Sequence, residues 1–403
     1  MPTEKLYWTD PQRTAFEATL VATTAFGGAP SLVLDATLFY PEAGGQLGDR
    51  GVLVIDGARV PVLDVQIDDD GVIHHLVADV GALAAGARVA GTIDADRRAD
   101  QMAQHTGQHM LSRALLEVAG AETRSSRLGA ESSTIDTPLA ALSEADVARA
   151  EDLVVRAVLR DGVVRALWPT AEELARLPLR REPKVERDVR VIDIEGFDLS
   201  PCGGTHCTRT GQVGPVRVVG VERHKGGTRV TFLAGRRAFE DYRRKDAALG
   251  ELARSFTCGP LDVAAGVARL RAESKARGDA LVAARGELAA LLVERRLAEL
   301  AVDASGTTRV VLVRDGDDLA ALRGLAAGLA RRADVVAVVA SREAEGGDWL
   351  LVVERGAQAA FDAGAWMRRL TVAHGGRGGG RPERAEGRLP GRVDVAEAAR
   401  STD

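Results

Sequence analysis

The chain has 403 residues, 45% hydrophobic and 28% charged, with a net charge of −5. That balance is ordinary for a globular protein long enough for two to four domains of about 100–200 residues each. Three cysteines are too few for a disulfide framework, and no apolar run has the length of a signal-peptide core or a membrane span, so a soluble cytoplasmic protein with reduced thiols is expected.

From Ser31 to Ile93 short apolar or alternating runs recur between Gly- and Asp-rich turns: SLVLDATLF, GVLVI, VPVLDV, VIHHLV and RVAGTI. This spacing predicts a small antiparallel barrel or sandwich over residues 1–93. His74 and His75 lie inside one of these runs, with no second cluster of metal-binding residue types nearby, and read as structural or solvated.

A helix-rich stretch follows from Asp94 to about Ala175, and strand patterns return at VRVIDI, QVGPVRVVGVE and TRVTFLAG. Residues 94–235 therefore read as one α+β domain. Residues 236–304 are charged and Ala/Leu-rich, with helical spacing at Leu281, Ala284, Leu288 and Leu292. The pattern is too irregular for strict heptads, and a helical hairpin or short coiled coil broken at TCGP (257–260) is expected. Residues 305–403 form a separate α/β module: RVVLV, DVVAVVA and WLLVVE read as buried strands, and a glycine- and arginine-rich stretch follows, AHGGRGGGRPERAEGR. The fold class expected is thus multidomain α+β.

Two short motifs carry the chemistry. In QHTGQHMLSRALLEVAG, His105 and His109 are four apart on a predicted helix, neighbours one turn from each other. On a helical wheel they fall opposite the stripe of Leu111, Ala114, Leu115 and Val118, which leaves two readings: a metal pair or polar residues on a solvated face. In SPCGGTHC, Cys202 and His206 lie on a loop made compliant by Gly203 and Gly204, and thiolate and imidazole are donors that zinc prefers. A lone pair of this kind also fits a buried thiol and an unrelated imidazole. Two matched pairs, His-x3-His and Cys-x3-His, point to one shared Zn2+ on His105, His109, Cys202 and His206.

FYPEAGGQLGD, HTGQH, CGGTH and GGRGGGRPE, in order from about Leu38 to Arg392, resemble the editing half of alanyl-tRNA synthetase and its free-standing AlaX relatives, the long form with a C-terminal DHH-associated domain. The resemblance implies hydrolysis of mischarged alanine tRNA without aminoacylation, since few residues precede the predicted barrel. It places the zinc ligands on the same four residues, and a glycine-rich motif beside the editing pocket on Gly44, Gly45 and Gln46. Ala43 stands where the family often has a third glycine. Gln108 replaces a threonine that often faces the substrate, which bears on selectivity.

The substrate so implied is a seryl or glycyl ester on tRNA(Ala). A pocket sized for alanine rejects serine or glycine by only about a hundredfold, so a second, hydrolytic site answers a physical need. Thr37 is the expected contact for a serine hydroxyl that alanine lacks. Gln46 and Gln108 are the other catalytic candidates, Gln46 orienting substrate or water; no general base is assigned, and His224 reads as surface. For tRNA contact, Arg217 to Lys245 carries nine Lys/Arg against three acids, and Arg377 and Arg381 open a run of five arginines among glycines that let backbone approach phosphate. Either run also fits a solvated face or flexible tail. A homodimer through the helical and C-terminal regions is expected. The competing reading is a non-catalytic tRNA-binding protein with a structural zinc. A third reading, phosphoesterase activity in the C-terminal module, needs acid-rich metal motifs such as DHH, and the sequence has none.

Overall fold

The structure is a computed structural model. It describes residues 2–401 apart from 82, 184, 186, 301–305, 343 and 345, so the expected boundary at 304/305 falls outside the described residues. The chain forms two compact units, Met1–Leu252 and Ala253–Asp403.

The alternating runs of the first unit become strands β1 (Ala15–Phe26), β2 (Ala29–Leu34), β3 (Gly51–Ile55), β4 (Ala58–Val62), β5 (Asp64–Ile67), β6 (Ile73–Leu76) and β7 (Arg88–Ile93). They form one antiparallel sheet in the order β4-β3-β7-β1-β2-β6-β5. Its two edge strands, β4 and β5, are separated in the chain by Leu63 alone, so the sheet must curl until its ends meet. β7 alternates strictly between exposed and buried residues, as expected where one face covers a core. That core contains Phe16, Leu20, Leu32, Leu53, Ile55 and Ile73.

Helix α1 (Ala95–Ala119) follows directly. Asp94 caps its start by accepting from the Arg97 N–H at 3.0 Å, and Gly120, at φ +64, ends it. Every residue from Gln101 to Ser112 is buried, so the wheel's division into an apolar stripe and a polar face does not hold. The face bearing His105 and His109 is as dry as the other, because the rest of the unit wraps it. Gln104 shows how polar groups survive there: its amide accepts from the Ala234 N–H (3.1 Å) and donates to the Ala234 carbonyl (2.7 Å).

Around α1 lie β8 (Ser125–Leu128), β9 (Ser133–Thr137), helix α2 (Glu144–Arg160), β10 (Val164–Leu167), β11 (Val191–Ile194), β12 (Asp198–Pro201), β13 (Val216–His224) and β14 (Gly227–Ala234). They make a four-stranded sheet, β8-β9-β14-β13, and a three-stranded one, β10-β11-β12. A buried ion pair ties α1 to the segment after β2. Arg98 donates to Asp49 and to the carbonyls of Pro11 (2.9 Å) and Leu38 (2.6 Å), and Asp49 also accepts from the Tyr40 N–H (2.7 Å).

The boundary between the units falls within helix α3 (Gly235–Ser255). In the second unit, helix α4 (Val263–Glu299) precedes β15 (Thr308–Asp315), α5 (Leu319–Leu329), β16 (Val335–Arg342), β17 (Trp349–Arg355), α6 (Ala363–His374), β18 (Arg377–Gly380), β19 (Arg384–Leu389) and α7 (Val395–Ser401). The five strands order as β15-β16-β17-β19-β18, with only β15 and β16 parallel. The glycine- and arginine-rich stretch is therefore a hairpin at a sheet edge and not a tail. A side chain at Gly387 would stand 2.6 Å from Met367 Sδ, so this glycine lets α6 pack on the hairpin. Among the described residues no helix is long and apolar enough to cross a membrane.

Candidate metal centre

His105, His109, Cys202 and His206 converge, their donor atoms all within 4.8 Å of one another. His105 and His109 come from one face of α1. Cys202 and His206 come from the loop that leaves β12. The Cys202 Sγ is 3.3 Å from His105 Nε2 and 3.4 Å from His206 Nε2. A tetrahedral ion with bonds of about 2.0–2.3 Å needs donors roughly 3.3–3.8 Å apart, which these two contacts meet.

Each imidazole is oriented from behind. The His105 Nδ1–H donates to Gln46 Oε1 at 2.7 Å, His206 Nδ1 lies 3.2 Å from Thr106 Oγ1, and His109 Nδ1 lies 3.3 Å from Asp198 Oδ2. All three rings therefore turn Nε2 inward, as in sites where a carbonyl, hydroxyl or carboxylate fixes the ring of a metal ligand. Asp198 is in turn held by Arg180 (2.7 and 3.2 Å) and by the Ser200 hydroxyl (3.0 Å). Both His109 nitrogens are buried with no hydrogen bond, Nδ1 having only the Asp198 carboxylate at 3.3 Å, which is costly unless something else takes the Nε2 lone pair. Three imidazole nitrogens, one of them orphaned, and one thiolate are a donor set that could hold a metal ion.

The electrostatics favour the metal-binding form at three of the four donors. Burial pushes the Cys202 thiol up, but the His105 and His206 imidazoles beside it more than reverse this and leave it well below the usual range. Burial pushes His105 and His206 down, toward the neutral form that binds metal; burial also pushes His109 down, but Asp198 and Cys202 outweigh it and leave that imidazole raised. Burial raises Asp198, but His109 and Arg180 together bring it below the ordinary carboxylate range. Cys207 points elsewhere, and burial lifts its thiol to about 11.

Gln46 is fully buried, and its side chain binds the cluster to the loop. Its Oε1 accepts from His105 and from the Thr205 N–H (3.1 Å), and its Nε2 donates to the Thr205 hydroxyl (2.8 Å). The turn before it, Ala43 to Gln46, has Gly44 at φ +59 and Gly45 at φ +86, values that favour glycine. A Cβ on Gly45 would also stand 2.5 Å from the Ser126 carbonyl oxygen. Ala43 has no positive φ and needs no glycine.

The other expected site residues lie apart from the ligands' hydrogen bonds. Thr37 is fully buried; its hydroxyl meets His75 Nε2 at 2.8 Å and accepts from the Phe39 N–H at 3.0 Å. His75 Nδ1 in turn donates to the Leu32 carbonyl, so both nitrogens of that ring are used. Gln108 donates to the Ser112 hydroxyl at 2.7 Å. Arg377 and Arg381 are exposed on the β18–β19 hairpin of the second unit. The positive run from Arg217 to Lys245 is partly offset in space by acids from outside it: Arg217 pairs with Glu151, Arg229 with Asp136 and Arg237 with Asp100. His224, half-buried, meets Arg229 through Nε2 at 2.9 Å.

Sequence reasoning missed Asp198, Thr106, Thr205 and Arg180. Thr106 and Thr205 sit inside the two ligand motifs and were available to it. Asp198 gave only the weak signal of an acid in a buried strand four residues before Cys202.

Three family models match parts of the chain. Residues 12–97 match the model for class II (A) tRNA synthetases, residues 189–231 the threonyl and alanyl tRNA synthetase second additional domain, and residues 306–402 the DHHA1 domain. The chain thus carries a synthetase-type additional domain followed by a DHHA1 domain. It is 33% identical to the alanine–tRNA ligase of Thermococcus kodakarensis over 98% of its length and 43% of the ligase. It is 31% identical to that of Pyrococcus abyssi over 98% and 42%, and 34% identical to that of Halorubrum lacusprofundi over 78% and 35%. The chain belongs to the alanyl-tRNA synthetase-related editing-domain proteins. It spans less than half the length of these relatives.

Proposed function

We propose that the protein is an aminoacyl-tRNA deacylase that hydrolyses the ester of tRNA(Ala) mischarged with serine, and with glycine as a second substrate. The observation that carries this reading is the buried cluster of three imidazoles and one thiol wired to Gln46. A zinc ion bound there would supply a fixed positive charge that orients and polarises the aminoacyl end.

The chain's own groups do the rest. Gln46 and Asp198 hold the His105 and His109 rings, and Thr205 keeps the loop against Gln46. Cys202 is the half-buried member of the cluster, and a Cβ on the adjacent Gly203 would meet no atom within 4 Å. The approach for substrate is therefore on the Cys202–Gly203 side. An aminoacyl ester is already activated, so a positioned water and donors aimed at the developing oxyanion suffice. For Thr37 to read a serine hydroxyl, its own hydroxyl must exchange its bond to His75. Within the first unit, residues 1–93 would carry the turn with Gln46 and residues 94–235 the metal. The DHHA1 segment with Arg377 and Arg381 would hold tRNA, and two copies would pair through the helical and C-terminal regions.

The test is deacylation of Ser-tRNA(Ala) beside Ala-tRNA(Ala), with wild type and Cys202→Ala. Release of serine but not alanine, lost in the variant, is expected. A second reading, a tRNA-binding protein whose zinc only staples the fold, is favoured by the four-donor set, because closed sites are usually structural. Folded, zinc-loaded protein that hydrolyses neither ester would sink the deacylase reading and leave that one.

A further inference from the structure

A row of residues leads from the metal cluster to solvent. In the three-stranded sheet Leu167 pairs with Val191, and Val191 with Pro201. One step further along each strand stand Trp168, Arg190 and Cys202, and the Cys202 N–H still donates to the Arg190 carbonyl at 3.0 Å. Residues opposite one another on antiparallel strands share a face, so an indole, a guanidinium and a cluster thiol stand side by side.

The Arg190 Cζ lies 5.9 Å from the centroid of the Trp168 ring. Its Nη1 donates to the carbonyls of Cys202 (2.9 Å) and Gly204 (2.8 Å), while its Nε is buried with no hydrogen-bond partner. Arg190 is 5% exposed and Trp168 49%. A buried guanidinium with an unused N–H is costly unless an acceptor arrives. A half-exposed indole beside it offers water a flat apolar face. Across the loop, the Trp8 indole N–H donates to the Gly203 carbonyl at 2.9 Å, and Lys5 Nζ sits 4.4 Å from that ring's centroid.

We propose that Trp168 and Arg190 seat the single-stranded 3′ end of an acceptor RNA. The terminal base stacks on the exposed face of Trp168, and Arg190 donates to an oxygen of the same nucleotide. The choice of RNA rests on the deacylase reading; the paired indole and unsatisfied cation do not. Aromatic stacking accepts any base, and a nearby cation adds affinity for the backbone. Three adjacent strands span about 10 Å from first to last, comparable to one aminoacylated nucleoside, so a base on Trp168 directs its ester toward Cys202.

The experiment measures fluorescence anisotropy of a labelled acceptor-stem minihelix with a single-stranded 3′ overhang, and of the same duplex made blunt. Wild type, Trp168→Ala, Trp168→Phe and Arg190→Lys are compared, with zinc content reporting an intact cluster. Trp168→Ala is expected to weaken overhang binding about tenfold, the loss of one stack, without affecting the blunt duplex. Trp168→Phe recovers most of it, Arg190→Lys weakens the same RNA, and in deacylation the losses fall on KM. Equal wild-type affinity for both RNAs, or Trp168→Ala with unmoved affinity and KM and full zinc, overturns the seat. Tight overhang binding by wild type without hydrolysis would sink the deacylase reading and leave the seat standing. Normal hydrolysis with unmoved KM in Trp168→Ala does the reverse.

Discussion

Gly203 and Gly204 are adjacent, neither has a positive φ, and the structure assigns them opposite tolerances. A Cβ on Gly203 would meet nothing within 4 Å. One on Gly204 would stand 2.2 Å from His105 Cε1, 2.4 Å from Nδ1 and 2.9 Å from Gln46 Oε1. The His105 ring would have to retreat by more than 1 Å to reach an ordinary contact of about 3.5 Å. It is held on one side by the 2.7 Å bond to Gln46 and faces Cys202 on the other. Overpacking costs about 1–3 kcal/mol, and leaving the Gln46 oxygen or the His105 N–H unpaired in a dry site adds about 1–3 kcal/mol. Gly204→Ala should therefore lose about 4 kcal/mol, a Tm fall of roughly 8–16 °C at about 2–4 °C per kcal/mol for a unit of this size, and should purify with little zinc. Gly203→Ala should match wild type in both. Thermal unfolding with elemental analysis of the two variants decides it. Equal Tm and equal zinc would refute the claim that close approach to His105 makes Gly204 indispensable.

Asp198→Asn keeps the shape but removes the charge beside His109, and should weaken zinc binding about 10–100-fold in competition with a chelator; unchanged affinity would remove Asp198 from the site. Burial pushes the His75 imidazole down to about 4, so between pH 6.5 and 4 the unfolded chain takes up a proton that the folded chain refuses. Stability contributed by neutral His75 is complete above pH 6.5 and falls as pH drops, by about 3 kcal/mol at most. Urea unfolding of wild type and His75→Gln from pH 7 to 4 should show the stability difference between them shrinking by that amount; parallel pH profiles would contradict it. Arg98→Ala leaves the Asp49 charge buried and unpaired and should cost about 3–5 kcal/mol, whereas a loss under 1 kcal/mol would mean that water reaches Asp49.

The ligand set was legible because imidazoles at i and i+4, and a thiol with an imidazole on a glycine loop, are rare combinations with a definite chemistry. Their surroundings were not. The wheel drawn for α1 assigned His105 and His109 to a polar face because it weighs hydrophobicity alone. A polar group satisfied by Gln46, Asp198 or an ion buries as completely as leucine. Gln46 was read from its motif as orienting substrate or water; its amide bonds His105 and Thr205, the latter a pairing across 159 residues that no local pattern reveals. Part of the positive run from Arg217 to Lys245 is answered from distant segments by Glu151, Asp136 and Asp100, which a local count does not reveal. The C-terminal strands were plain because continuous Val and Leu runs have few other uses, but the edge hairpin was not, because two of its glycines, Gly378 and Gly387, answer to packing on Met367.

The cluster is also a clock. His105 and Cys202 are separated by 97 residues, and at about 5–20 residues per second of synthesis the first pair of donors waits roughly 5–20 s for the second. Throughout that interval α1 exists without the loop that dries its histidine face. Bringing the two pairs together then costs about 4 kcal/mol of chain entropy for a closure of this length. The ion that seals the ring would thus be captured late, when just over half the chain is out. Scarcity of metal at that moment would leave a nascent protein with its central helix bare.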